Sequence, residues 1–176
     1  MRTYKRLKIE GGCYFFTVVL VQRNGNNLLS EQVDSLRESF KHVQKNHPFT
    51  MNAIVIMPDH LHCIWQLPEG DDNFSTRWRL INAHFSQSIK KGEEINKSRQ
   101  RKGERGIWQR RFWEHVIRDD VDYANHVDYI HYNPVKHGYV DRVVDWEYSS
   151  FHRWVEKGIY PSNWAASDDV IKLTIE

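Results

Sequence analysis

Cysteine is nearly missing, with only Cys13 and Cys63 in 176 residues. Each lies in an apolar, strand-like run rather than in a metal-binding spacing, which excludes a disulfide-stapled scaffold or a zinc ribbon. Free buried thiols in a reducing compartment are the expectation. No apolar run approaches the roughly 18–20 residues that cross a bilayer. The basic start, Met1–Glu10, is not followed by a small-residue cleavage site, so a soluble cytoplasmic protein is expected. Internal repeats and low-complexity segments are also lacking. The length suits one domain over residues 1–176, with enough chain to bury a real core.

Acidic residues are missing from two places. Residues 2–8 hold Arg2, Lys5, Arg6 and Lys8 and no acid. From Arg77 to Arg118, twelve basic residues face four acidic ones, a local excess of eight that the net charge of +2 conceals. Clustered positive charge favours a polyanion. Aromatic residues are abundant at 13%, more than a core of this size needs. Flat rings and cations together are what a single-stranded nucleic-acid surface uses. For any one ring, packing in the core is the competing reading.

Along the chain, Cys13–Val21 reads as a buried central strand and Ser30 opens a helix to about Asn46. Thr50–Met57 and Leu61–Leu67 are strands joined by a corner at Pro58-Asp59 that permits only antiparallel pairing. A helix is predicted from Thr76 to about Lys90. Residues 91–106 are charged, bounded by glycines and without apolar periodicity, and predict a mobile basic loop that orders on a partner. Phe112–Arg118 is a fourth strand, followed by a helix over Val121–Asn133 that Pro134 stops. A last helix is expected at Trp146–Lys157, and the final dozen residues show no pattern. The order β-α-β-β-α-β is the ferredoxin-like, RRM-like split βαβ arrangement. That is an α+β fold with an antiparallel sheet and helices on one face, here with added C-terminal helices.

Met57-Pro58-Asp59-His60-Leu61-His62-Cys63 carries the chemistry. On a strand His60 and His62 project to the same side, and two imidazoles so placed can share a metal ion. A helix near residue 129 supplies what the pair lacks. Tyr129 and Asn133, four residues apart, share a helical face with Asn125 and offer a phenol nucleophile and an amide oxygen. His126 is a reserve ligand. Spacing alone does not choose among Tyr123, Tyr129, Tyr132 and Tyr139, and by itself it favours a tyrosine packed between helix and sheet.

His60-Leu61-His62 has the His-hydrophobic-His form of the HUH single-strand nucleases. Its surroundings through Leu67-Pro68-Glu69-Gly70-Asp71-Asp72 resemble the REP-associated tyrosine transposases of bacteria, relatives of the IS200/IS605 single-tyrosine transposases. So do Phe74–Trp78, Gly106–His115, His126–Gly138 and Trp146–His152. The resemblance implies His60, His62 and Asn133 as ligands of Mg²⁺ or Mn²⁺, with Zn²⁺ also acceptable to imidazole. It implies Tyr129 as a nucleophile that forms a 5′-phosphotyrosine. The implied substrate is single-stranded DNA beside repetitive extragenic palindromic hairpins, handled by a monomer or homodimer at the nucleoid, with no small-molecule substrate. Arg2, Lys5, Arg6, Arg77, Arg79, Arg105, Arg110 and Arg111 are the candidates for gripping phosphates. Tyr4, Trp78, Trp108 and Trp113 are the candidates for stacking on bases, with Trp113 the one expected in the core. The alternatives are a non-catalytic hairpin-binding module of the same fold and a metal-dependent nuclease that uses water.

Overall fold

The alternating runs assemble into a four-stranded antiparallel sheet in the order β2-β3-β1-β4. In the computed structural model, which describes residues 5–172, β1 is Cys13–Val19, β2 Thr50–Ile56, β3 His60–Gln66 and β4 Trp113–Val116. The candidates Arg2 and Tyr4 lie outside the described residues. β1 pairs with β3 so that Thr17 stands opposite His62, and with β4 so that Thr17 stands opposite Trp113. The β2–β3 corner closes on a hydrogen bond from the Met57 N–H to the His60 carbonyl at 2.8 Å.

Side-chain alternation then sorts the molecule into layers. Tyr14, Phe16, Leu61, Cys63 and Trp65 face the two crossover helices, α2 (Val33–Gln44) and α3 (Phe74–Ser88), after a short α1 (Leu28–Glu31). Phe15, Val55 and Ile64 face α5 (Asp120–Lys136) with its Val127, Tyr129 and Ile130. The crossover helices share one face, as the split βαβ pattern requires. The second face is covered by α5, so helices flank the sheet on both sides.

Three local outcomes differ from the sequence reading. α5 runs through Pro134 to Lys136, because a proline in the final turn forfeits a single hydrogen bond. Its stop is Gly138 in the left-handed region (φ 72°), whose N–H donates to Val135 while Tyr139 N–H donates to Pro134. The expected helix at 146–157 is shortened to α6 (Phe151–Glu156), because residues 148–150 instead pair with the outer edge of β2. Ile56 N–H donates to the Tyr148 carbonyl at 2.9 Å and Ser150 N–H to the Ile54 carbonyl at 2.8 Å. Closing an open sheet edge outweighs local helix propensity there. A short α7 (Asp168–Ile171) follows and packs on α5.

The third difference is the basic stretch 91–106, which contains α4 (Lys97–Lys102), capped by the Asn96 side chain and by Gly103 at φ 64°. The buried Arg99 donates to the carbonyls of Arg105 at 2.6 Å and Trp108 at 2.8 Å. Arg105 pairs with Glu93 and donates to the carbonyls of Ser86 and Ile89. Long cations tether this segment, so apolar periodicity had nothing to report.

Trp78 is 1% exposed and stacks on Trp65 at 4.4 Å and 18°. Trp78→Ala is expected to cost about 3–5 kcal/mol in urea unfolding, and a variant of unchanged stability would return the ring to the substrate surface. His131 of α5 tests the C-terminal packing. It is fully buried, with Nε2 hydrogen-bonded to the Ser150 hydroxyl at 2.9 Å, and the Ser150 oxygen also accepts the Ile54 N–H. Burial, aided by Arg153 and His152, pulls its pKa from 6.5 down to about 3. The unfolded chain takes up this proton first, so the stability is complete above pH 6.5 and falls as pH drops toward 3. The slope is about 1.4 kcal/mol per pH unit. Urea midpoints between pH 7 and 4.5 should fall more steeply for the native protein than for His131→Gln, and parallel curves would refute it.

Candidate active site

His60 and His62 leave β3 on the α5 side, with ring centroids 5.0 Å apart. Each imidazole is fixed through Nδ1. Asp59 Oδ1 lies 2.6 Å from His60 Nδ1, and Thr17 Oγ1 lies 2.8 Å from His62 Nδ1. Asp59 is itself held by Arg23 Nε at 2.7 Å. Burial would raise the Asp59 pKa, but the hydrogen bonds from His60 and Arg23 prevail and hold it at about 2, so a full carboxylate backs His60. A carboxylate or hydroxyl behind each ring is the usual support of a metal-binding histidine and points Nε2 outward.

α5 brings the remaining groups. Its entry is fixed by Asp119, whose side chain accepts the Asp122 N–H at 2.8 Å. One stripe of the helix then presents Tyr129, Asn133 and His137 at successive turns. The Tyr129 ring stands 5.4 Å from His62, and the His137 ring 5.2 Å from His60. Asn133, between them, is fully buried, and neither carboxamide atom has a hydrogen-bond partner among the described residues. The same holds for His60 Nε2. Buried polar atoms left in this way need an explanation. Two imidazole nitrogens and an amide oxygen are a donor set that a divalent cation would satisfy. Lys136 Nζ lies 3.4 Å from the Tyr129 hydroxyl and 4.6 Å from its ring centroid.

A profile described as transposase IS200 like matches residues 12–133, which span all four strands and α5 as far as Asn133. The chain belongs to the IS200-like transposase family. A REP-associated tyrosine transposase of Escherichia coli K12 is 48% identical over 165 residues, covering 94% of this chain and 92% of that protein. A Haemophilus influenzae protein provisionally given the same name is 49% identical over 171 residues, covering 97% of each. Among solved structures, a REP-associated tyrosine transposase bound to a REP hairpin superposes with a TM-score of 0.81 at 47% identity, covering 95% of this chain and 93% of that one.

The substrate-contact candidates divide sharply. Arg77 is 2% exposed, and its guanidinium is consumed by Asp71 and by the carbonyls of His47, Pro48 and Asn73. It locks loops and is closed to phosphates. Trp78 and Trp108 are core residues, and Arg105 is spent on Glu93 and the carbonyls of Ser86 and Ile89. Lys5, Arg79, Arg110 and Arg111 are exposed. Arg6 lies over the Phe112 ring at 4.0 Å. Arg6, Arg79 and Arg110 line a cleft of about 930 Å³ on the α3 side of the transposase, with Lys91, Gln87 and Gln109. Among the described residues no helix is long and apolar enough to cross a membrane.

The reserve candidate His126 lies on the far side of Phe15 from His62, and it gathers with His115 and Asp122. Ligand atoms of that trio lie within 4.8 Å of one another, close enough to hold a metal ion. Burial pulls the His126 pKa down. Sequence reasoning missed Asp59, Thr17, Lys136 and His137. Lys136 and His137 were within reach, seven and eight residues after Tyr129 on one helical stripe. Thr17 needed the β1–β3 register.

Proposed function

We propose that this transposase cleaves and rejoins single-stranded DNA beside REP-type hairpins, with Tyr129 as the nucleophile. The observation that carries this reading is the contact of Tyr129 with His62, one of a buried, backed histidine pair, one helical turn before a buried Asn133 carboxamide without a hydrogen-bond partner among the described residues. The hairpin-bound relative supplies the substrate class. The Tyr129 oxygen attacks the phosphorus, forming a 5′-phosphotyrosine as the bond to the 3′ oxygen breaks; the phenol loses its proton and the 3′ oxygen gains one. Transfer to another 3′-hydroxyl reverses these steps without ATP. Lys136 compensates charge developing on the phenol oxygen. His60, His62 and Asn133 are assigned to Mg²⁺ or Mn²⁺, which when bound would neutralise a non-bridging phosphate oxygen and stabilise the leaving group. Arg6, Arg79, Arg110 and Lys91 hold the DNA backbone in the α3-side cleft, a contact that positions without reading sequence.

Incubation with labelled, flanked hairpin DNA and Mn²⁺ should give an SDS-stable protein–DNA adduct. Cleavage without an adduct would replace this reading by a water-using nuclease, and binding without cleavage by a binding module. Lys136→Met should slow adduct formation about 10²-fold, the scale for losing one preorganised donor, with hairpin affinity unchanged. An unaltered rate would remove Lys136 from the reaction.

A further inference from the structure

We propose that Trp113 is a stacking platform for an unpaired nucleobase of the strand entering the active site, an inference that rests on the single-stranded DNA reading above. Trp113 is 42% exposed and is the one exposed tryptophan among the described residues. Its ring is held in place. It lies parallel to His115 (6.0 Å, 7°), which lies parallel to His126 (4.6 Å, 13°), and Phe15 abuts it edge-on at 5.9 Å. Asp122 anchors the stack: His115 Nε2 is 2.8 Å from Asp122 Oδ2, and His126 Nδ1 donates to the Asp122 carbonyl at 2.7 Å. Oδ2 of Asp122 also accepts from the Arg118 main chain at 3.0 Å and from Arg118 Nε at 3.2 Å. With that oxygen so fully engaged, the trio serves better as a rigid backing for the indole than as an ion cage. A ring preorganised in this way binds a base without paying to order itself.

Position and charge favour a DNA base over any other occupant. Trp113 stands opposite Thr17, the residue that holds His62. β3 and β4 are two strand spacings apart, about 10 Å, and Phe15 touches Trp113, His62 and Tyr129 alike. The preceding residue, Phe112, lines the basic cleft on the opposite face. A strand leaving that cleft for Tyr129 therefore rounds the β4 edge at Trp113. Exposed Arg111 precedes the ring, and the Arg118 side chain, 73% exposed, lies beyond it.

The test uses the full chain carrying Tyr129→Phe, so that binding is read without cleavage, and flanked hairpins with 2-aminopurine placed at successive flank positions. Quenching is expected at one or two positions next to the cleavage site, and adding Trp113→Ala should abolish it. That change should weaken binding of the flanked hairpin about 5- to 150-fold while leaving a bare hairpin unaffected, and Trp113→Phe should restore most of the loss. An abasic residue at the quenched position should reproduce the loss without adding to Trp113→Ala. Quenching that survives Trp113→Ala, equal weakening of bare and flanked hairpins, or a variant altered only in self-association by sedimentation would each overturn the platform. An unmutated protein that forms no adduct while the Trp113-dependent quenching persists would overturn the nuclease chemistry and leave the platform standing.

Discussion

Tyr129→Phe is expected to bind flanked hairpins as the native protein does and to form no SDS-stable adduct, with cleavage reduced about 10³-fold or more. The substitution removes one oxygen and keeps the ring, which is 1% exposed and packs against Phe15 at 6.1 Å and His62 at 5.4 Å. The contact to Lys136 at 3.4 Å is lost with the oxygen, a hydrogen bond worth about 1 kcal/mol of stability. The other tyrosines of this region are committed elsewhere. Tyr123 accepts a hydrogen bond from Asn52 at 3.3 Å, Tyr132 lines a cleft beside the C-terminal segment, and Tyr139 packs on Trp146. An adduct that survives the substitution would show that the nucleophile has been misassigned.

His62→Ala should eliminate metal-dependent cleavage while hairpin affinity stays within about two-fold of native, as expected for groups with no shared partners. The reason is geometric. His62 belongs to the α5 layer, where it stacks on Phe15 and faces Tyr129, whereas the basic cleft lies across the sheet. A readout independent of catalysis comes from stability. Mn²⁺ at about 100 times its Kd should stabilise the native fold by about 2.7 kcal/mol, and the variant should lose that increment. Persistence of the full increment would move the ion to His115, Asp122 and His126, whose ligand atoms also converge. Loss of hairpin binding would give His62 a structural role.

The parts legible in the sequence were those governed by short-range periodicity. Alternation along β3 put His60 and His62 on one side, and the helical turn put Tyr129 with Asn133. The same periodicity placed Trp78 on an apolar stripe with Ile81 and Phe85, where the structure keeps it. What sequence could not reveal was which cations are spent. Arg77 and Arg99 resemble free surface charges until distant loops bring carbonyls to them. Trp113 went the other way: Phe112 and Trp113 alternate, and only the pairing of β4 with β1 shows that the tryptophan takes the open side.

Cys63 follows His62 directly, yet the two report to different layers, and the Cys63 thiol, pushed well above its usual pKa by burial, belongs wholly to the α3 side. The sheet thus acts as an insulating partition. Variation at Arg6, Arg79, Gln87, Gln109 and Arg110 reaches the tyrosine only through backbone movement. A library randomised at those five positions is expected to change how tightly DNA is held while the chemistry at Tyr129 is inherited intact.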